Sequence, residues 1–137
     1  MRIRSITYFC NPGYPLDPKK LAAAGAFLKE ACSAFEAEGY EVQTTRMATI
    51  PFPRLLGEER ISELPKFAET LSTLLPETGL AYASLGPALP GMPASYPVIP
   101  PALAGSKNIF FAGIMADGKG GISLPAVRSC AEVIQQN

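Results

Sequence analysis

Apolar residues along this chain switch between two periods, one near two residues and one near three and a half. Residues 2–9 (RIRSITYF) are β-branched and aromatic and stop at Asn11-Pro12-Gly13, which predicts a first strand closed by a turn. Leu21, Ala24, Leu28, Ala31 and Phe35 then recur at helical spacing as far as Gly39, behind Asp17 as an N-cap and Pro18 at the first helical position. Residues 40–47 (YEVQTTRM) alternate weakly and are more polar than the other strand candidates, which predicts a second strand at a sheet edge. A loop holding Pro51, Pro53 and Gly57 leads to a helix beginning near Ser62, with Leu64, Phe67, Ala68, Leu71, Leu74 and Leu75 on one face. Pro65 falls in its first turn, where proline is tolerated, and Pro76 ends it.

Residues 79–85 (GLAYASL) and 108–116 (NIFFAGIMA) are short apolar runs of the kind found in central strands covered on both faces. The connection between them carries six prolines between Pro87 and Pro101, has room for one short helix around residues 100–105, and is long enough to form a lid. Ser123 is placed to cap a last helix with Val127, Cys130, Ala131 and Ile134 inward. Alternating strands and helices of these lengths predict an α/β fold of about four mostly parallel strands, joined by right-handed crossovers and flanked by helices. At 137 residues the chain is expected to form a single domain without disulfides or a structural metal.

Composition narrows the chemistry. Twelve basic residues balance twelve acidic ones, which argues against a nucleic-acid surface, and no run of 18 apolar residues or signal peptide is present. Cys10, Cys32 and Cys130 form no CxxC pair and there is no histidine, so neither a zinc set nor a disulfide framework is expected, and a reducing cytoplasm is. Without histidine, any general base working near neutral pH has to be a retuned carboxylate, lysine, cysteine or tyrosine.

In a parallel sheet all strand-to-helix loops leave from one edge, the edge where α/β proteins bind ligands. The four predicted loops are 10–17, 46–54, 86–97 and 117–123, and they carry Asn11, Tyr14, Arg46, Asp117, Lys119 and Ser123. The glycine-rich Asp117-Gly118-Lys119-Gly120-Gly121 is the strongest candidate for anion binding, since glycines let backbone N–H groups approach a ligand in front of a helix N-terminus. It is not a triphosphate loop: Gly120 stands where a metal-holding hydroxyl is needed, and Gly113 lies inside the predicted strand. The candidate ligand-binding set is therefore Asn11, Arg46, Gly118, Lys119, Gly120, Gly121 and Ser123, with Asp117 and Cys10 as weak catalytic candidates. Asp117 before a glycine is also a turn former, and a free cysteine is commonly a small buried hydrophobe. Lys19 and Lys20 at the start of the first helix, with Glu36 and Glu38 at its end, run against the helix dipole and fit either a solvated face or an anion-attracting terminus.

Two segments carry a family likeness: Arg2-Ile3-Arg4-Ser5-Ile6-Thr7-Tyr8-Phe9, and residues 116–128 (ADGKGGISLPAVR), with Ser84-Leu85-Gly86-Pro87 at a similar strand end between them. They resemble the N-terminal region of the prokaryotic domain-of-unknown-function 711 family. The resemblance implies an α/β barrel similar to that of glycyl radical enzymes, no assigned activity or cofactor, and a parent protein of several hundred residues of which this chain is an N-terminal part. A partial barrel of that kind exposes an apolar face or edge, which favours homo-oligomers.

Two functional classes follow. One is an enzyme or enzyme part that binds a small anionic metabolite at the strand C-termini. The other is a non-catalytic binding or assembly module, meeting another chain through its sheet edges and through Leu89, Met92, Tyr96 and Val98 of the proline-rich segment. Neither class includes a nucleic-acid or membrane partner.

Overall fold

The computed structural model describes residues 1–118 and 120–136. In chain order its elements are β1 (Arg2–Ile3), β2 (Ile6–Phe9), α1 (Pro18–Ala37), β3 (Glu41–Val42), β4 (Thr45–Ala48), α2 (Phe52–Leu56), α3 (Leu64–Leu74), β5 (Tyr82–Ala88), α4 (Ile99–Ala104), β6 (Ile109–Gly113), β7 (Ala116–Asp117), β8 (Gly121–Ile122) and α5 (Leu124–Gln135). Short 3₁₀ turns occupy Glu58–Glu63, Pro76–Thr78 and Pro93–Ser95. The fold is α/β, and its main sheet has four parallel strands in the order β2-β4-β5-β6.

The first two expected strands each break once. β1 pairs with β3 and β2 with β4, all parallel. At the break the Thr44 hydroxyl donates to the Arg4 carbonyl at 2.9 Å. Asp17 caps α1 as its sequence predicts, its carboxylate accepting from Lys19 N at 3.0 Å with proline in the first turn.

Strand order decides where the helices go. Strands laid side by side in sequence order, each reached by a right-handed crossover, carry all their helices on the same face. One register row, Tyr8–Met47–Ala83–Ile109, accordingly packs into the core with Leu21 and Leu28 of α1 and Leu71 of α3. The alternate rows point the other way. There Phe9 and Phe110 are 76% and 54% exposed, at the two ends of the row Phe9–Ala48–Ser84–Phe110. The sheet is thus covered on one face and open on the other.

Several expectations change with this arrangement. The polar strand β4 is interior, between β2 and β5, because its exposed polar residue Arg46 needs only one uncovered face and not an edge, while Thr45 faces the α1 side beside Gly25 and Ala26. Conversely the apolar β6 is an edge strand; Ile109 is buried, Phe111 meets Phe52 edge-on at 5.8 Å, and Phe110 lies on the open face. The loop with Pro51 and Pro53 holds α2, whose Phe52 and Leu56 are fully buried. The proline-rich connection is folded onto the core and not raised as a lid: Tyr96 is buried and its hydroxyl donates to the Ile114 carbonyl at 2.5 Å, while buried Ser95 accepts from Leu89 N at 3.1 Å. Tyr96 is therefore unavailable to another chain, and Leu89, Met92 and Val98 are half-buried. In α5 the inward residues are Ala126, Cys130 and Val133, one step round from the expected face, and Ile134 is 77% exposed. No helix among the described residues is long and apolar enough to cross a membrane.

Two glycines permit this packing. Gly25 lets α1 approach the turn after α3 so closely that a Cβ there would lie 1.8 Å from the Thr78 carbonyl oxygen. Gly86 sits at φ +70° inside β5, against the Ile50 carbonyl.

Candidate functional site

The open face is layered along the strands. Its lower row, Thr7–Arg46–Tyr82, is polar; the next, Phe9–Ala48–Ser84–Phe110, is apolar at both ends. Thr7 and Arg46 are register partners, and the Arg46 Nε donates to the Thr7 hydroxyl at 2.6 Å. The salt bridges among the described residues are Arg2–Glu41, Arg60–Glu59 and Arg128–Glu132, so none of the described carboxylates lies within bridging distance of Arg46. Tyr82 packs edge-on against Phe110, ring centroids 5.2 Å apart. Hydrogen bonding with Thr44, followed by burial acting the opposite way, by the hydrogen bond and charge of Arg46 and by hydrogen bonding with Ser5, leaves its phenol below the ordinary tyrosine range.

At the C-terminal ends of β2 and β4, Phe9, Cys10, Asn11, Ala48, Thr49 and Ile50 line an open cleft of about 460 Å³. Asn11 shapes its rim, the Oδ1 accepting from Gly13 N at 2.9 Å. Cys10 is half-buried, and burial raises its thiol above the usual value while the Lys20 ammonium lowers it by less. Tyr14 turns away from this cleft. Its hydroxyl bonds to Glu63, and Arg60 stacks over its ring at 5.1 Å.

The glycine-rich segment is a β-hairpin. β7 and β8 pair antiparallel, Ala116 opposite Ile122 and Asp117 opposite Gly121, with Gly121 at φ +66°. The Asp117 carboxylate accepts from Gly120 N across the tip, and the described residues from Ala116 to Ile122 are all exposed. Ser123 follows as the N-cap of α5, its Oγ accepting from Ala126 N at 3.4 Å. Lys119 lies outside the described residues.

The structure therefore gathers some candidates and separates others. Cys10 and Asn11 share the cleft, and Arg46 stands on β4 one register row below it. Gly118, Gly120, Gly121, Asp117 and Ser123 stand in or after the hairpin and do not line the cleft. Thr7, Tyr82, Phe9 and Phe110 were not among the candidates. The alternations Thr7/Phe9 and Arg46/Ala48 mark one face of each strand, but only pairing register shows that those faces coincide. Among the described residues, no three His, Cys, Asp or Glu side chains cluster as metal ligands.

The family model described as Uncharacterised ACR (DUF711) matches residues 1–137. No curated protein matches the chain.

Proposed function

The chain belongs to the DUF711 family, described as uncharacterised, and from that premise we propose that it acts as an assembly module whose bare sheet face is covered by a second copy of itself. The carrying observation is the sheet with helices on one face and Phe9 and Phe110 exposed on the other. The same apolar surface continues round the β6 edge, where Phe110, Met115, Val133 and Ile134 line an apolar cleft. Phe9, Phe110, Met115, Ile122, Leu124 and Ile134 are all exposed large hydrophobics.

Symmetry fits a second copy. A two-fold axis parallel to the strands preserves strand direction, so β6 of each protomer can pair in parallel with β2 of the other. Both unpaired edges of the four-stranded sheet are then satisfied, and eight parallel strands close with every helix outside.

Sedimentation velocity at tens of micromolar tests this. A particle of twice the 14.5 kDa chain mass is expected, and Phe9→Asp combined with Phe110→Asp returns it to the chain mass. Wild-type protein that stays at the chain mass throughout overturns the proposal.

The cleft around Cys10 and Asn11 favours a second reading, binding of a small anionic metabolite at the strand C-termini as an enzyme or enzyme part. Saturation at about 100 times Kd stabilises a fold by roughly 2.7 kcal/mol, so a thermal-shift screen of carboxylates and phosphorylated metabolites detects it. The absence of any shift removes this reading. With three free cysteines, the reducing cytoplasm is the compartment we propose.

A further inference from the structure

The open face combines a cation with no counter-ion among the described residues, hydroxyls around it, and an apolar layer immediately above. We propose that the row Thr7–Arg46–Tyr82 binds the carboxylate group of a small amphiphilic monocarboxylate, whose apolar part lies over Phe9 and Ala48 in the next row.

Four observations lead there. The Arg46 Nε is committed to the Thr7 hydroxyl at 2.6 Å and the guanidinium also meets the Tyr82 hydroxyl, which orients it and leaves its remaining N–H groups to donate. A planar guanidinium fixed in this way matches a carboxylate better than a mobile ammonium does. No acidic residue occupies the rows Thr7–Arg46–Tyr82 and Phe9–Ala48–Ser84–Phe110, so nothing in them neutralises Arg46. Near the base of the face the Tyr82 hydroxyl meets Thr44, Arg46 and Ser5, which makes a polar cluster beside the guanidinium. Finally, the next row along the strands is about 6.6 Å away, two residues of rise, and it begins with Phe9 and ends with Phe110. The Phe9 ring, on the strand next to that of Arg46, suits an aryl or short alkyl body, and the spacing suits a carboxylate one or two carbons from it.

The test is an NMR titration of the whole chain with phenylacetate, beside the neutral isostere phenylacetamide and inorganic phosphate. Each is taken to about 20 mM, well beyond the millimolar Kd expected of one charge-assisted contact with modest apolar burial. Saturable shifts at the Arg46 side chain and at the amides of residues 7, 46 and 82 are expected with phenylacetate, and none with phenylacetamide. Arg46→Gln should weaken binding about tenfold to a hundredfold, with Arg46→Lys in between. If Arg46→Gln does not fold, the phenylacetate and phenylacetamide titrations of the wild type decide alone. No saturable shift, equal shifts with phenylacetamide, phosphate binding as tightly as phenylacetate, or shifts confined to other parts of the chain each overturn the proposal. Sedimentation of the same samples keeps it separate from self-association: a particle at the chain mass that still binds phenylacetate retains this site and loses the assembly reading.

Discussion

Gly25 carries more of the fold than its size suggests. It is fully enclosed in α1, and an alanine there would drive its Cβ to 1.8 Å from a backbone carbonyl that belongs to another element. Backbone cannot rotate aside as a side chain can, so Gly25→Ala should destabilise by about 3 kcal/mol or more, read as the urea midpoint. A loss below about 0.5 kcal/mol would mean that α1 does not pack this closely. The three thiols set an alkaline limit. Burial raises the pKa values of Cys10, Cys32 and Cys130, with Lys20 opposing it at Cys10 and Glu36 reinforcing it at Cys32. A group whose pKa is raised by folding keeps its proton longer in the native state. Its contribution is complete below the unfolded thiol value, about 8.5, and is lost as pH rises through the folded one. The urea midpoint should thus hold between about pH 7 and 8 and fall above about pH 9, with Cys10→Ala flattening part of the fall. A midpoint that climbs across that range contradicts the assignment.

Elements here are set by caps and crossovers more than by propensity. The twenty residues of α1 start at a proline behind a carboxylate that takes a backbone N–H at 3.0 Å. Asp17→Ala should cost about 1 kcal/mol, a fall in Tm of roughly 3–6 °C, whereas Asp17→Asn should recover most of it. Equal losses in the two variants would point to a contact other than the cap. The glycine-rich hairpin shows the limit of motif reading. Its glycines and aspartate specify a tight turn, and Asp117 takes the Gly120 N–H. Whether such a turn joins a strand to a helix or doubles back on itself depends on the two residues on either side, which pair here as β7 and β8. That pairing directs the turn into solvent and holds the N-terminus of α5 two residues beyond Gly121.

At the scale of the molecule, the one-sided sheet makes stability a matter of concentration. If a second copy covers the open face, Tm should rise with protein concentration, while the Phe9→Asp, Phe110→Asp protein should melt at one temperature throughout. A wild-type Tm independent of concentration from about 1 to 100 µM is incompatible with that coverage. Much of the chain was legible beforehand. Apolar period, Asp17, Ser123 and the prolines determined the positions of α1, α3, α5 and all four main strands, and their alternation determined an α/β fold, because these signals act within a few residues. Polarity misplaced β4 and β6, since a polar strand can be an edge or can have one uncovered face, and local sequence does not distinguish the two. The candidate site was legible only in fragments: Cys10, Asn11 and Arg46 were visible, but Thr7, Tyr82 and the two phenylalanines were not. Strand order, register and the side on which the helices fall join residues up to about a hundred positions apart, as Phe9 and Phe110 are joined across the open face. The sequence by itself determined which segments become strands and helices; only tertiary structure decided which face of the sheet remains open, because that depends on pairing between distant segments and on the hand of each crossover.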